Sequence, residues 1–192
     1  MLNLITKSEI RKKIILLLFY NPSKSYYLRE IARLVGASAG NIRQEIAKLE
    51  DDGFLIKERR GNLAYFKINT KNPLFDEFKS IVDKTIGLKS ILAEVLKETK
   101  DIDFAFLFGS YVKGDFGPDS DIDLYVIGKI SEKNLYRLVK KAEGKIYREI
   151  NYHLATPEEF REKIKESFFH KEVLKNYTLI TGNKNEFEKF IS

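Results

Sequence analysis

The chain of 192 residues contains no cysteine and only two histidines. Without thiolates there is no disulfide framework, no cysteine-ligated zinc and no cysteine nucleophile, and two histidines are too few for a histidine-rich metal site. The longest apolar run, residues 14–19, is far shorter than the ~20 residues of a membrane-spanning helix. These absences predict a soluble, cytoplasmic protein without a membrane partner, in which carboxylates are the candidate metal ligands.

Positive charge is concentrated in the first third of the chain. Residues 1–71 contain 14 Lys and Arg against 7 Asp and Glu, a net charge of +7, whereas residues 72–192 contain 20 and 21, a net charge of −1. This asymmetry favours a nucleic-acid-binding module joined to a second domain. A basic surface that contacts only solvent is the alternative.

The first 71 residues have the pattern of three helices followed by a β-hairpin. Apolar spacing predicts helices over 8–19, 28–35 and 39–49. Alternation predicts strands over 54–58 and 63–68. This order resembles the winged helix-turn-helix DNA-binding domains of prokaryotic regulators, which implies that the helix over 39–49 is a recognition helix.

Polar and basic side chains on the predicted recognition helix and hairpin are the candidate DNA contacts. Arg reads guanine and Asn or Gln reads adenine in the major groove, while basic residues at a hairpin tip contact phosphates. The candidates are Ser38, Asn41, Arg43, Gln44 and Lys48 on the helix, and Lys57, Arg59 and Arg60 on the hairpin. Ala47 is expected on the buried side of the helix. As a set these residues predict binding of double-stranded DNA, although each taken alone is also typical of a solvated surface.

Residues 72–99 repeat apolar side chains at helical spacing, after Pro73 at a position that suits the first turn of a helix. They predict a long linker helix between a domain at 1–71 and a domain at 100–192, with Gly87 as a point where the helix bends or breaks. Such a stripe either packs on its own chain or pairs with a second copy, so a homodimer is one expectation.

Strands and helices alternate in the last domain, which predicts an α+β fold. The predicted strands cover 102–108, 122–127, 146–155 and 177–181. The predicted helices cover 131–143, 157–167, 168–175 and 186–191. Thr156 and Glu159 have the spacing of a capping box at the start of the second of these helices.

The chemistry-bearing motif joins the first two of these strands. One strand ends in Gly109-Ser110, and after ten intervening residues the next opens with Asp121-Ile122-Asp123. Residues two apart in a strand share a face, and two carboxylates side by side repel unless a cation lies between them. Magnesium, which also takes phosphate oxygens, suits such a pair, while Gly109 and Ser110 can hold a phosphate. The pattern indicates metal-dependent phosphoryl or nucleotidyl transfer.

This segment resembles the minimal nucleotidyltransferases of the DNA polymerase β superfamily, over about residues 100–182. The resemblance implies a short mixed sheet packed on helices. It implies that Gly109, Ser110 and Lys113 bind the triphosphate of an NTP, with ATP favoured, and that Asp121 and Asp123 bind Mg²⁺, as two ions when the NTP is present. A solvent-exposed lysine is the alternative for Lys113.

Glu149 is the candidate for the third carboxylate that this superfamily usually adds. The segment 148–152 of this strand resembles the Glu-Val-Asn strand of the kanamycin nucleotidyltransferase type, and alternation puts Glu149, Asn151 and His153 on one face. Glu149 would either complete the metal site or accept the proton of the acceptor hydroxyl. An exposed strand carboxylate is the alternative, and His153 and His170 receive no role.

The predicted function is transfer of a nucleoside monophosphate from Mg-NTP to a hydroxyl of a protein, small molecule or nucleic acid, coupled to DNA binding. The spacing is also similar to that of nucleotidyltransferase antitoxins, which modify a partner toxin, so a protein acceptor is one candidate. The alternative is a transcriptional regulator whose transferase domain only senses nucleotide or is inactive.

Overall fold

The structure is a computed structural model that describes residues 6–113 and 120–192. It divides into two compact units. The first takes the residues up to Ser90 together with Lys145–Tyr147, and the second takes Ile91–Gly144 with Arg148–Ser192. Within the described ranges no helix is long and apolar enough to cross a membrane.

The first unit consists of helices around a small antiparallel sheet. Its elements are α1 (Glu9–Phe19), β1 (Tyr26–Tyr27), α2 (Leu28–Val35), α3 (Ala39–Asp51), β2 (Leu55–Arg60), β3 (Leu63–Ile68) and α4 (Phe75–Thr85). The strand order is β1-β3-β2. Buried side chains from each of the first three helices, including Ile14, Ile31 and Ile42, form its core. Two residues are too few for a period of two to show, which is why β1 was not predicted.

The remaining elements form the second unit, except for the first residues of α5 and the end of α7. They are α5 (Leu88–Leu96), β4 (Ile102–Phe108), α6 (Ser110–Lys113), β5 (Ile122–Gly128), α7 (Glu132–Ile146), β6 (Ile150–Ala155), α8 (Pro157–Glu166), α9 (Phe168–Val173), β7 (Thr178–Thr181) and α10 (Lys184–Ile191). The strand order is β6-β5-β4-β7. The sheet is mixed, because β5 and β6 run parallel while the other pairs are antiparallel.

The segment predicted as one long linker helix forms two helices, α4 and α5, which are separated at Gly87. A Cβ at Gly87 would lie 2.6 Å from the Asp83 Cα and 2.7 Å from the Tyr20 hydroxyl oxygen. That hydroxyl oxygen also accepts a hydrogen bond of 2.8 Å from the Leu88 N–H. The break therefore lies at the predicted position, Gly87, because only glycine permits so close an approach. Pairing of this segment with a second copy stays a prediction.

The boundary between α7 and β6 differs from the predicted strand over 146–155. Apolar residues continue at helical spacing to the end of α7, and all of them are buried: Leu135, Leu138, Val139, Ala142 and Ile146. Tyr147 then adopts a positive φ of 58°, which ends the helix. The strand consequently begins only at Ile150, after Glu149.

Aromatic side chains fill the core on one face of the second sheet. Phe106 of β4 and Tyr125 of β5 stack at 5.4 Å between ring centroids, and Phe160 of α8 and Phe187 of α10 pack against them. The start of α8 is held by the predicted capping box, which is present at Thr156 with its partner three residues later. These contacts anchor the strands that carry the Gly-Ser and Asp-x-Asp segments.

Candidate functional site

The two aspartates lie at the start of β5, a central strand of its sheet. Asp121 directly precedes the strand and is exposed, Asp123 is its second residue and is partly buried, and Ile122 between them is fully buried. Because side chains alternate along a strand, the two carboxylates share the face opposite to that of Ile122. The motif thus presents two acidic groups together at the N-terminal end of a central strand.

Gly109 lies directly against the Asp123 carboxylate. The residue before it, Phe108, pairs with Asp123 across β4 and β5, and the chain turns at Gly109 with a φ of +72°. A Cβ placed at Gly109 would lie 2.1 Å from Oδ2 of Asp123. Glycine is required at this position for two reasons: the left-handed backbone and the close contact with the Asp123 carboxylate. The Gly-Ser turn and the Asp-x-Asp pair therefore form one site.

Ser110 and Lys113 extend this site along α6, which is a single turn of helix. Ser110 begins the turn directly after Gly109, and Lys113 ends it with its N–H donating to the Gly109 carbonyl at 3.2 Å. The Lys113 side chain is exposed, and it makes no ion pair with any residue that the structure describes. The predicted triphosphate-binding residues therefore adjoin the carboxylates in space.

The strand beside β5 supplies a neighbour that sequence reasoning did not assign to the site. Asn151 pairs with Asp123 in the parallel register, and its Nδ2 donates a hydrogen bond of 3.0 Å to Oδ2 of Asp121. Arg148, at the entry to β6, donates from its guanidinium to the Ser120 carbonyl just before Asp121. Alternation in β6 put Asn151 on the correct face, but only the register between parallel strands places it against the aspartates.

Glu149 lies one residue before β6 and is exposed. Its carbonyl accepts a hydrogen bond from the Ile122 N–H at 3.3 Å. The pKa of Lys140 in α7 is raised mainly by its hydrogen bond to Glu143, and the negative charge of Glu149 raises it slightly further. Residues 6–113 and 120–192 contain no group of three or more Asp, Glu, His or Cys that could hold a metal ion. Glu149 as a metal ligand therefore stays a prediction.

The electrostatics of the aspartate pair fit a divalent cation. Burial raises the pKa of the Asp123 carboxyl, and the charge of Asp121 raises it further, against a smaller lowering by His153. A cation between the carboxylates would remove this repulsion. Mg²⁺ commonly takes one or two protein carboxylates and fills its remaining positions with water and phosphate oxygens, so the two aspartates are a sufficient protein contribution.

Aromatic residues continue the same sheet face behind the carboxylates. Tyr125 follows Asp123 by two residues and stacks on His153, at 5.5 Å and 15° between the rings. Its hydroxyl shares a hydrogen bond of 2.9 Å with Nε2 of His170, the partner that the sequence did not reveal. Burial raises the pKa of Tyr125 to about 12, and burial lowers the pKa of His170. These aromatic side chains form a packed layer beneath the carboxylates.

The candidate DNA contacts of the first unit are all exposed. Two of them, Arg43 of α3 and Lys57 of β2, line a groove of about 760 Å³ between α3 and the β2–β3 hairpin, together with Arg29 and Ala47. The prediction that Ala47 is buried was wrong. The buried positions of α3 are Ile42, Ile46 and Leu49, and Ala47 lies outside that stripe, facing the groove.

The basic residues of this surface differ in how they are paired. Lys48, Lys57 and Arg60 lie within 3.7, 3.8 and 3.1 Å of glutamates. The hydroxyl of Ser38 caps α3 by accepting from the Asn41 N–H at 3.3 Å. Arg43 and Arg59 have no acidic partner among the described residues. Both can therefore contact a phosphate or a base without first breaking an ion pair.

Comparison with known proteins identifies the family of the second unit. The family model described as polymerase beta, nucleotidyltransferase, matches residues 91–186. No curated protein gave a significant match.

Solved structures that resemble parts of the chain share little sequence with it. One is a toxin–antitoxin complex with AMP-PNP (16% identity, 54% of this chain and 80% of that chain, TM-score 0.41). Another is the tri-AMPylated Shewanella oneidensis HEPN toxin in complex with an MNT antitoxin (14%, 54% and 77%, 0.37). A third is the transcriptional regulator BldR from Sulfolobus solfataricus (15%, 52% and 68%, 0.40).

Proposed function

Because the chain belongs to the polymerase β nucleotidyltransferase family, we propose that its second unit transfers a nucleoside monophosphate from an NTP to a hydroxyl group. The observation that carries this proposal is the contact of Gly109 with the Asp123 carboxylate. It brings a turn suited to phosphate and a pair of metal-binding carboxylates into one site. Neither group alone would indicate nucleotidyl transfer.

In the proposed reaction the acceptor oxygen forms a bond to the α-phosphorus of the NTP. The bond from the α-phosphorus to the oxygen that it shares with the β-phosphorus breaks, and pyrophosphate leaves. Gly109 and Ser110 bind the triphosphate, with Lys113 neutralising part of its charge. Asp121 and Asp123 hold Mg²⁺, which when bound stabilises charge on the phosphate oxygens. Asn151 orients Asp121 through its amide.

Glu149 is proposed to accept the proton of the attacking hydroxyl. Glu149→Gln should leave MgATP binding nearly intact and lower the transfer rate roughly 10²–10⁴-fold, as expected for loss of a general base. Asn151→Ala removes the hydrogen bond to Asp121 but no proton acceptor, so its effect on the rate should be smaller. Single-turnover rates with saturating MgATP measure both. A Glu149→Gln variant that transfers at the wild-type rate would refute the proposed role of Glu149 as proton acceptor.

The activity itself is tested by following the α- and γ-phosphates separately. The full chain is incubated with Mg²⁺, candidate acceptors and ATP labelled at either position. We expect label from the α-phosphate to become covalently bound to protein, nucleic acid or a small molecule, with release of pyrophosphate, and no transfer from the γ-phosphate. MgATP binding without any transfer would favour the alternative, a regulator that senses nucleotide.

DNA binding by the first unit is a second proposed function. It is supported by the +7 charge of residues 1–71 and by the exposure of Arg43 and Arg59 without acidic partners. A winged helix built from α1–α3 and the β2–β3 hairpin would place α3 in the major groove and the hairpin along phosphates. A single chain would then combine DNA binding by the first unit with nucleotidyl transfer by the second.

Substitutions of Arg43 and Arg59 should separate base contacts from phosphate contacts. Arg59→Ala should weaken binding to all duplexes alike and reduce the slope of log affinity against log salt by about 1. Arg43→Ala should relax sequence preference, with a loss of about 1–3 kcal/mol at the preferred site. Fluorescence anisotropy of the full chain at several salt concentrations measures both effects.

Lys133→Ala is the matched control for these arginine variants. Lys133 is an exposed residue of the second unit that forms no ion pair with the described residues, so its loss changes net charge equally without altering the proposed surface. Wild-type protein that shows no salt-dependent affinity for genomic DNA would refute DNA binding.

A further inference from the structure

Two consecutive phenylalanines on α9 are left uncovered by the fold. Phe168 is 76% exposed and Phe169 is 41% exposed. Large apolar side chains exposed side by side are informative, whereas scattered single ones are normal. α9 is a short helix of six residues, and its buried residue Val173 anchors it. The two rings are therefore presented to solvent on an ordered element.

Phe169, the second residue of the exposed pair, adjoins the candidate active site. The Phe169 ring contacts Phe108 with centroids 5.8 Å apart, and Phe108 directly precedes Gly109. It also contacts His153 at 5.3 Å, and His153 follows Asn151 by two residues on the same strand face. Two residues along a strand span about 6.6–6.8 Å, a distance that one ribose bridges.

The position of the pair relative to the phosphate-binding turn indicates the occupant. In an NTP only the ribose separates the base from the α-phosphate. If the triphosphate lies at Gly109 and Ser110, the base therefore lies about one ribose length away, where the aromatic surface of Phe108 and Phe169 begins. Phe169 already meets its neighbours edge-on, at 80° to Phe108 and 88° to His170, so part of its surface remains open beside them. Flat nucleobases stack on such surfaces regardless of their hydrogen-bonding groups.

We infer that Phe168 and Phe169 form the nucleobase platform of the NTP, an inference that rests on the proposed function of the site. Stacking gives little discrimination between adenine and guanine, because both present a two-ring face. It favours purines over pyrimidines, since a larger face covers more of the two rings. The substrate class is thus a purine nucleoside triphosphate rather than ATP alone.

Comparing ATP with inorganic tripolyphosphate isolates the contribution of the base. Calorimetry of the full chain with Mg²⁺ should give Phe168→Ala and Phe169→Ala variants that bind ATP about 5–100-fold more weakly, with tripolyphosphate affinity changed less than about twofold. Phe169→Leu, which retains an apolar side chain but no ring, should also lose ATP affinity. Tyr136→Ala removes another exposed aromatic residue of the second unit, 53% exposed, and should change neither affinity.

Each other outcome has a distinct meaning. Unchanged ATP affinity in both alanine variants would overturn the platform, and if transfer nevertheless falls, the rings hold the acceptor instead. A parallel loss of tripolyphosphate affinity in the highly exposed Phe168→Ala variant would also overturn it, because the effect would not be on the base. A wild-type protein that binds neither ligand would refute the proposed function itself, and the platform with it.

Discussion

Asp121→Asn and Asp123→Asn are each expected to weaken MgATP binding and to lower nucleotidyl transfer by roughly 10³-fold or more. Each substitution removes one of two anionic groups proposed to hold Mg²⁺, which when bound contributes several kcal/mol of charge stabilisation. Asparagine keeps the shape and one oxygen of the side chain, so the change is confined to charge. Calorimetry with MgATP and single-turnover transfer measure the two effects.

The same variants should not lose stability, which distinguishes loss of a ligand from loss of the fold. Since the pKa of Asp123 is raised in the folded protein, ionisation of this carboxyl at neutral pH disfavours folding. Asp123→Asn removes that penalty, so its melting temperature at pH 7 should equal or exceed that of the wild type. The advantage should disappear below about pH 4, the pKa of an unperturbed aspartate, where both states are protonated. Unchanged MgATP affinity in both variants would refute the metal assignment.

Gly109→Ala is expected to remove MgATP binding and to destabilise the second unit. A non-glycine residue at the φ of +72° costs about 1–2 kcal/mol. The new Cβ would also lie 2.1 Å from Oδ2 of Asp123. Because that oxygen belongs to a side chain, it can rotate away and relieve the clash, and the carboxylate then leaves the position from which it would bind the metal.

A matched control separates the backbone effect from the displacement of the carboxylate. Gly36→Ala places the same side chain at a φ of +71°, with no atom within 4 Å of the new Cβ. It should show a comparable loss of thermal stability, measured by calorimetric melting, and unchanged MgATP affinity. If Gly109→Ala retains MgATP affinity as Gly36→Ala does, the contact between Gly109 and Asp123 has no functional role.

Local features of the chain were determined by the sequence itself. α2 and β3 have the predicted bounds, Leu28–Val35 and Leu63–Ile68, because periodicity and the glycine at the end of α2 act within a few residues. The capping box at Thr156 formed as expected, since both hydrogen bonds join residues three apart. The common face of the two aspartates likewise needs only the alternation of one strand.

The tertiary structure decided which residues meet. The register of β6 against β5 places Asn151 in contact with Asp121, and no local pattern encodes the relative shift of two strands. The Tyr20 hydroxyl packs against Gly87 and accepts from the Leu88 N–H, a contact that the predicted break at Gly87 did not reveal. Contacts between residues distant in sequence depend on packing of the whole unit, so the partners of the motif residues could be identified only in the folded chain.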